Sequence, residues 1–259
     1  MILGIDIGNT SIEFALLHEN GRVERKCRIA TEKEGSHRYY QENIKAFIEK
    51  NSVSEVIISS VVPEINSCIK KVCTEYFGKE PLFITSRLNT GLHIRYDDPE
   101  KLGADLITAA AGAAEKYNLP LIVADIGTAT TFSVINKNRE YLGGMIAAGP
   151  LTSMKALAAM ASQLPETEIM TASEQIIGTN TEDCIKIGTV TAHAAMIDGM
   201  IERVKKSLGI SDITVIATGG FAEKISSLCH HQMIADENLI FAGMYEIYLK
   251  MKAINKSHS

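Results

Sequence analysis

Asp6-Ile7-Gly8-Asn9-Thr10 and Asp125-Ile126-Gly127-Thr128-Ala129-Thr130-Thr131 set a carboxylate, a glycine and small hydroxyl or amide side chains in the same order, once in each half of a 259-residue chain. Glycine lets a backbone approach an anion closely, and Asn, Ser and Thr side chains donate hydrogen bonds to phosphate oxygens. A carboxylate repels phosphate, so Asp6 and Asp125 are better read as holding a cation that bridges to it, since hard cations prefer carboxylate and water oxygens. Either phrase alone is also an ordinary strand end and turn. The repetition points to a phosphate-gripping hairpin present twice.

Two further places could do chemistry. Asp105 follows a proline loop and opens an alanine-rich helical stretch. It is either a base that accepts a hydroxyl proton during phosphoryl transfer or an acidic first-turn residue that complements the helix dipole. Gly219-Gly220 closes a strand, as a plain connection or as a close approach to a nucleoside.

These residues need elements to position them. Ile2 to Ile5, Ser11 to Leu17 and Arg22 to Ile29 read as an antiparallel meander, turning at the first Asp-Ile-Gly phrase and at Glu19-Asn20-Gly21. A helix from Tyr39 to Asn51, a strand from Glu55 to Val62, a helix from Pro63 to Phe77 and a strand from Leu82 to Thr85 follow. After the helix Glu100 to Lys116 the order repeats. Strands Leu121 to Asp125, Thr130 to Ile135 and Glu140 to Met145 form a second meander, with a turn at Asn136-Lys137-Asn138. Helices Thr152 to Leu164, Thr181 to Ser207 and Ala242 to Ile254 then surround the strand Thr214 to Thr218.

Composition narrows the function classes. With 46% hydrophobic and 22% charged residues the chain reads as globular and large enough for two cores. A net charge of −5 without a basic run argues against a nucleic-acid footprint. No apolar run reaches the roughly 18 residues of a membrane span, and no signal-type leader opens the sequence, so the expected location is cytoplasmic. Cys27, Cys68, Cys73, Cys184 and Cys229 form no CxxC pair and read as reduced thiols, and His230-His231 reads as a solvated turn.

These motifs resemble the acetate kinase, sugar kinase, heat-shock chaperone and actin superfamily of two-domain phosphotransferases, and within it the type III pantothenate kinase family. The resemblance runs along the chain: the two Asp-Ile-Gly phrases, Thr90-Gly91-Leu92 to Tyr96 and Pro99, Gly103-Ala104-Asp105, Gly143-Gly144, Leu164-Pro165, Gly178 with Asn180-Thr181, and Ala217-Thr218-Gly219-Gly220. It implies an α/β fold of two duplicated ribonuclease H-like (actin-like ATPase) domains, 1–115 and 116–259. A nucleotide cleft is expected between them, with the last helix free to pack back on the first domain. It also implies ATP-dependent phosphorylation of pantothenate to 4'-phosphopantothenate, the first step of coenzyme A biosynthesis. ATP would carry Mg2+, a monovalent cation (K+ or NH4+) would bind, and the protein would be a homodimer.

Carried over by position, Asp6, Ile7, Gly8, Asn9, Thr10, Ser11, Ile12, Glu13 and Thr128 resemble the ATP contacts, with Asp6 reaching the divalent ion through ATP. Asp125 resembles the monovalent-cation ligand. Tyr96, Gly103, Ala104, Asp105, Leu106 and Thr181 resemble the pantothenate pocket, Thr181 reaching across the dimer and Asp105 acting as the base.

Four positions depart from the family pattern. Leu106 stands where an arginine would pair with the substrate carboxylate, and leucine is no bidentate cation. Arg95, beside Tyr96, is a substitute cation or an exposed loop arginine. Glu13 stands where lysine is common and would repel phosphate if it faced inward. Ala148 replaces a turn proline and Ala192 a helix glycine. Two alternatives therefore stay open: a paralogue phosphorylating a different small alcohol, and a nucleotide-binding regulatory protein with little turnover.

Overall fold

The computed structural model describes residues 1–49, 51–165, 167 and 176–257. The chain divides into two compact units. The first holds Met1–Lys116, Arg139–Tyr141 and the C-terminal stretch from Asn238; the second holds Tyr117–Asn138 and Leu142–Glu237.

In the first unit, β1 (Ile2–Ile7), β2 (Ser11–Leu17) and β3 (Val23–Ala30) form the meander. Helix α1 (His37–Ile48) buries Tyr40, Ile44, Phe47 and Ile48, one face of a helix at 3.6-residue spacing. It starts two residues before the expected Tyr39 because the Ser36 hydroxyl accepts the Tyr39 N–H at 3.2 Å. It ends at Ile48 rather than Asn51, where Glu49 takes a positive φ of 52°. Next come β4 (Glu55–Ser60), α2 (Pro63–Phe77), β5 (Leu82–Phe83), β6 (His93–Ile94), a 3-10 turn (Pro99–Lys101) and α3 (Ala104–Lys116). The single helix expected over Glu100 to Lys116 is thus broken. Leu102 is extended (φ −71°, ψ 127°), and Asp98 caps the short turn by accepting the Glu100 N–H.

The sheet order is β3-β2-β1-β4-β5, with β1, β4 and β5 parallel, so their carboxyl ends share one edge. One core forms on it, from Leu3, Ile5 and Ile7 through Phe14, Ile44 and Ile58 to Ile69 and Val72.

The second unit repeats this wiring with β7 (Leu121–Ile126), β8 (Ala129–Ile135) and, from Leu142 on, β9 (Glu140–Ala148), then α4 (Pro150–Met160), α5 (Thr181–Leu208), β10 (Thr214–Thr218), α6 (Ala222–Ser226) and β11 (Ile234–Ala235). Strand β7 is antiparallel to β8 and parallel to β10, as β1 is to β2 and β4. Burial follows the same duplication. Every residue of β1 is buried except Asp6, and every residue of β7 except Asp125. The core of this unit joins Ile122, Ala124, Ile126 and Phe132 to Val190, Ala194, Ile197 and Ile201 of α5.

The final helix, α7 (Leu239–Ser257), belongs to the first unit, where it lies against α3. Buried Ala109, Ala110, Ala111, Ala113 and Ala114 keep α3 thin. Arg139 is held in that unit too: its Nε donates to Gly91 O at 2.9 Å and its guanidinium pairs with Glu115, which also accepts from Lys250 Nζ at 2.7 Å. No helix among the described residues is long and apolar enough to cross a membrane.

Candidate active site

In the first unit, the turn Gly8–Thr10 sits at the carboxyl end of β1. Gly8 N–H donates to Ser11 O at 3.0 Å, closing the turn and leaving Asn9 and Thr10 exposed at its tip. The end of β3 supports it from the side, since Thr31 Oγ1 donates to Gly8 O (2.7 Å) and Thr31 N–H to Thr10 O (3.1 Å). Exposed amides and hydroxyls on a braced backbone suit an anion.

Glu13 lies directly across from Asp6 in the β1–β2 register, so the two side chains share a face of the sheet. The expected repulsion is answered from β3. Arg28 stands opposite Glu13, its Nε donating to Glu13 Oε1 at 2.7 Å and its second nitrogen reaching the same oxygen.

Asp105 occupies the first turn of α3 and turns back on its own backbone. Its Oδ1 accepts the Leu106 N–H at 2.7 Å, and it lies so close to Gly103 that a Cβ there would overlap it. Any other residue at position 103 would push the carboxylate away. Burial pushes the Asp105 carboxyl above its ordinary value, only partly offset by hydrogen bonds from the Leu106 and Asp105 N–H groups.

A cavity of about 770 Å³ opens beside it, lined by Ser60 at the end of β4 and Val61 after it, Asn66, Ser67 and Lys70 of α2, Phe83 at the end of β5 and 84–87 after it, and Glu100 to Ala104. It lies at the carboxyl ends of β4 and β5, the edge of the sheet that also carries the Gly8–Thr10 turn, and this is where α/β sheets bind ligands. Val61 joins the parts: its N–H donates to Ile7 O at 3.0 Å, and its Cγ1 is 3.6 Å from where a Gly103 Cβ would stand.

In the second unit the turn is shorter, Gly127–Thr128 against Gly8–Thr10, and Gly127 N–H donates to Ala129 O at 2.9 Å. Thr128 is exposed, and its carbonyl accepts Gly149 N–H at 3.0 Å and Thr152 Oγ1 at 2.6 Å, anchoring the turn to the start of α4. Asp125 Oδ1 rests on Gly219, which has φ +90° and no room for a Cβ; such an atom would overlap the carboxylate and lie 2.7 Å from Ile126 O. Behind the turn, buried Thr130 Oγ1 and His193 Nε2 of α5 are 2.8 Å apart, and burial holds the His193 ring below its ordinary pKa.

The structure therefore brings Asp6, Gly8, Asn9, Thr10, Glu13, Gly103, Ala104 and Asp105 to one edge of the first unit. Tyr96 is exposed and does not line the cavity. Arg95 is committed elsewhere: Nε donates to Glu140 Oε1 at 2.8 Å. Thr181 is exposed in the first turn of α5, after the cap in which Asn180 accepts the Asp183 N–H. Asp125 and Thr128 keep the expected positions on the second turn. Sequence reading missed Ser60, Val61, Asn66 and Arg87. The signal available was Ser60-Val61-Val62-Pro63, a strand end stopped by a proline at a helix start. Among the described residues there is no cluster of three or more His, Cys, Asp or Glu side chains that could hold a metal by itself.

A sequence profile described as type III pantothenate kinase matches residues 2–203. A type III pantothenate kinase of Shouchella clausii is 39% identical over 255 residues, covering 96% of this chain and 99% of that one. The protein of the same name from Halalkalibacterium halodurans is 36% identical over 255 residues, covering 96% and 99%. Among solved structures, a ROK family glucokinase from Streptomyces griseus, crystallised with glucose and AMPPNP, superposes with a TM-score of 0.56 at 14% identity, over 97% of this chain and 99% of that one. An activator of 2-hydroxyisocaproyl-CoA dehydratase from Clostridium difficile gives 0.55 at 13%, over 99% and 97%. At such identities the likeness is one of fold, that of the actin-like ATPases and sugar kinases with their two ribonuclease H-like domains.

Proposed function

Because the chain belongs to the type III pantothenate kinase family, we infer that it transfers the γ-phosphoryl group of ATP to the primary hydroxyl of pantothenate, giving 4'-phosphopantothenate and opening coenzyme A biosynthesis. One observation carries the chemistry: a braced anion turn, a carboxyl raised by burial and a cavity lie at the carboxyl edge of one sheet, with Val61 lining the cavity, bonded to Ile7 and next to Gly103. Asp105 would take the hydroxyl proton as the new O–P bond forms and the bond from the γ-phosphorus to the bridging oxygen of ADP breaks. A carboxyl raised by burial is a stronger base than an exposed one, which suits that task.

The remaining work is positioning. Each unit's turn would donate to phosphate oxygens, Gly8–Thr10 in the first and Thr128 in the second, and in the first Glu13, neutralised by Arg28, would not oppose this. Asp6 would hold the Mg2+ that accompanies ATP, an ion that offsets charge on the phosphates when bound. Asp125, whose carboxylate lies against Gly219, would supply oxygen ligands to a monovalent cation, K+ or NH4+. Exposed Ile146, Leu157, Met160, Ile176 and Ile177 of the second unit fit burial against a second copy of the chain, with Thr181 close by in sequence to complete the partner's pantothenate pocket. The reaction and its substrates suit the cytoplasm.

Purified protein given ATP, Mg2+, K+ and pantothenate should form equal amounts of ADP and 4'-phosphopantothenate by mass spectrometry. No phosphopantothenate at saturating pantothenate would sink the reading. Turnover of another small alcohol in its place would make the chain a paralogue.

A further inference from the structure

The rim of the cavity beside Asp105 carries cationic side chains that phosphoryl transfer does not use. Lys70, Arg87 and Lys101 line it against one carboxylate, Glu100. Asp105 does not itself line the cavity, but Gly103 and Ala104 immediately before it do. Pantothenate bears its acceptor hydroxyl at one end and a carboxylate at the other, so a hydroxyl brought to Asp105 from that side leaves an anion to be met along the cavity. Leu106 offers it no charge. Arg95 lies outside the cavity and is held by Glu140, a side chain only 20% exposed.

Arg87 is differently placed. Its Nε donates to Glu100 Oε1 at 2.9 Å and its second nitrogen reaches the same oxygen, so the guanidinium already presents its carboxylate-binding fork on the cavity rim. Both partners are exposed, Arg87 at 77% and Glu100 at 62%, and a pair so wetted contributes little. An incoming carboxylate can take the place of Glu100, which turns to water. Lys70 and Lys101 are already paired, to Glu80 (3.0 Å) and Asp98 (3.1 Å), which leaves Arg87 with its exposed partner as the cation best placed to meet an incoming anion.

We propose that Arg87 receives the carboxylate of the acceptor substrate and thereby sets the preference for an acid over its neutral analogues. The proposal rests on the pantothenate kinase reading above. It is tested by steady-state kinetics with pantothenate and with pantothenol, which keeps the acceptor hydroxyl and carries an alcohol in place of the carboxylate. Arg87→Gln should raise KM for pantothenate about tenfold, the size of one lost charge-assisted contact, with kcat held within about twofold. Its kinetics with pantothenol should match those of the unaltered protein, and Arg87→Lys should fall between. An unchanged KM for pantothenate overturns the proposal, as does an equal rise with both acceptors, which marks a structural effect. An unaltered protein that phosphorylates neither compound overturns the kinase reading, and this proposal with it.

Discussion

Arg28 on β3 and Glu13 on β2 face each other across the strand pair, with the Arg28 Nε donating to Glu13 Oε1 at 2.7 Å. Glu13 in turn faces Asp6, so the row across three strands is carboxylate, carboxylate, guanidinium. A residue that by its charge alone would repel ATP phosphates is thereby neutralised by its neighbour. Arg28→Gln should raise KM for ATP about fivefold, equivalent to about 1 kcal/mol. The double variant Glu13→Gln, Arg28→Gln should restore it. A double variant as poor as the single one would show that Arg28 itself binds the nucleotide.

Asp105→Asn keeps an oxygen for the Leu106 N–H and removes the base. Turnover should fall by about 10²- to 10⁴-fold while ATP binding, followed by calorimetry, stays intact. Stability should move the other way. A carboxyl raised in the folded state contributes stability that is full below its unfolded value, near 3.8, and is lost as pH rises through the folded value. Asn has no such loss, so the variant should melt above the unaltered protein at pH 7, with the gap closing toward pH 4. A variant melting lower at pH 7 would contradict the burial argument.

Gly219→Ala meets two obstacles at once, a φ of +90° and the Asp125 carboxylate. A loss of about 2 kcal/mol or more is expected, with Tm lowered by at least about 4 °C in a chain of this size. Because Asp125 must move to admit the methyl group, stimulation of turnover by K+ should drop as well. Full K+ stimulation in a folded Gly219→Ala protein would remove Asp125 from the cation site.

Thr130→Val leaves the buried His193 Nε2 without its hydroxyl partner, at a cost of about 1–3 kcal/mol in urea unfolding. Pairing it with His193→Phe should recover part of that loss, since the orphaned nitrogen is gone. The pH profile carries a second check. A ring whose folded pKa is depressed contributes stability that is full above 6.5 and lost as pH falls, so His193→Phe should flatten the acid side of the stability curve. An unchanged acid limb would mean that another group governs it.

What the sequence by itself determined is local and repeated. The two Asp-Ile-Gly turns, the meanders they open, the helix started by Pro63 and the strand Thr214–Thr218 are dictated by apolar alternation, proline and glycine within a few residues, and the structure keeps all of them. Local rules failed where competing local contacts or short length set the outcome. Asp98 and extended Leu102 break one expected helix into two pieces, and α6, β6 and β11 are too short to show a period. Only the tertiary structure decided the electrostatics of the candidate site. Glu13 meets Arg28 because three strands align in register, and Asp105 rests on Gly103 because α3 starts where it does. Ser60, Asn66, Arg87 and Gly103 line one cavity because parallel strands deliver their carboxyl ends to the same edge. Charges and cavities depend on neighbours far apart in the chain, and no spacing along it records them.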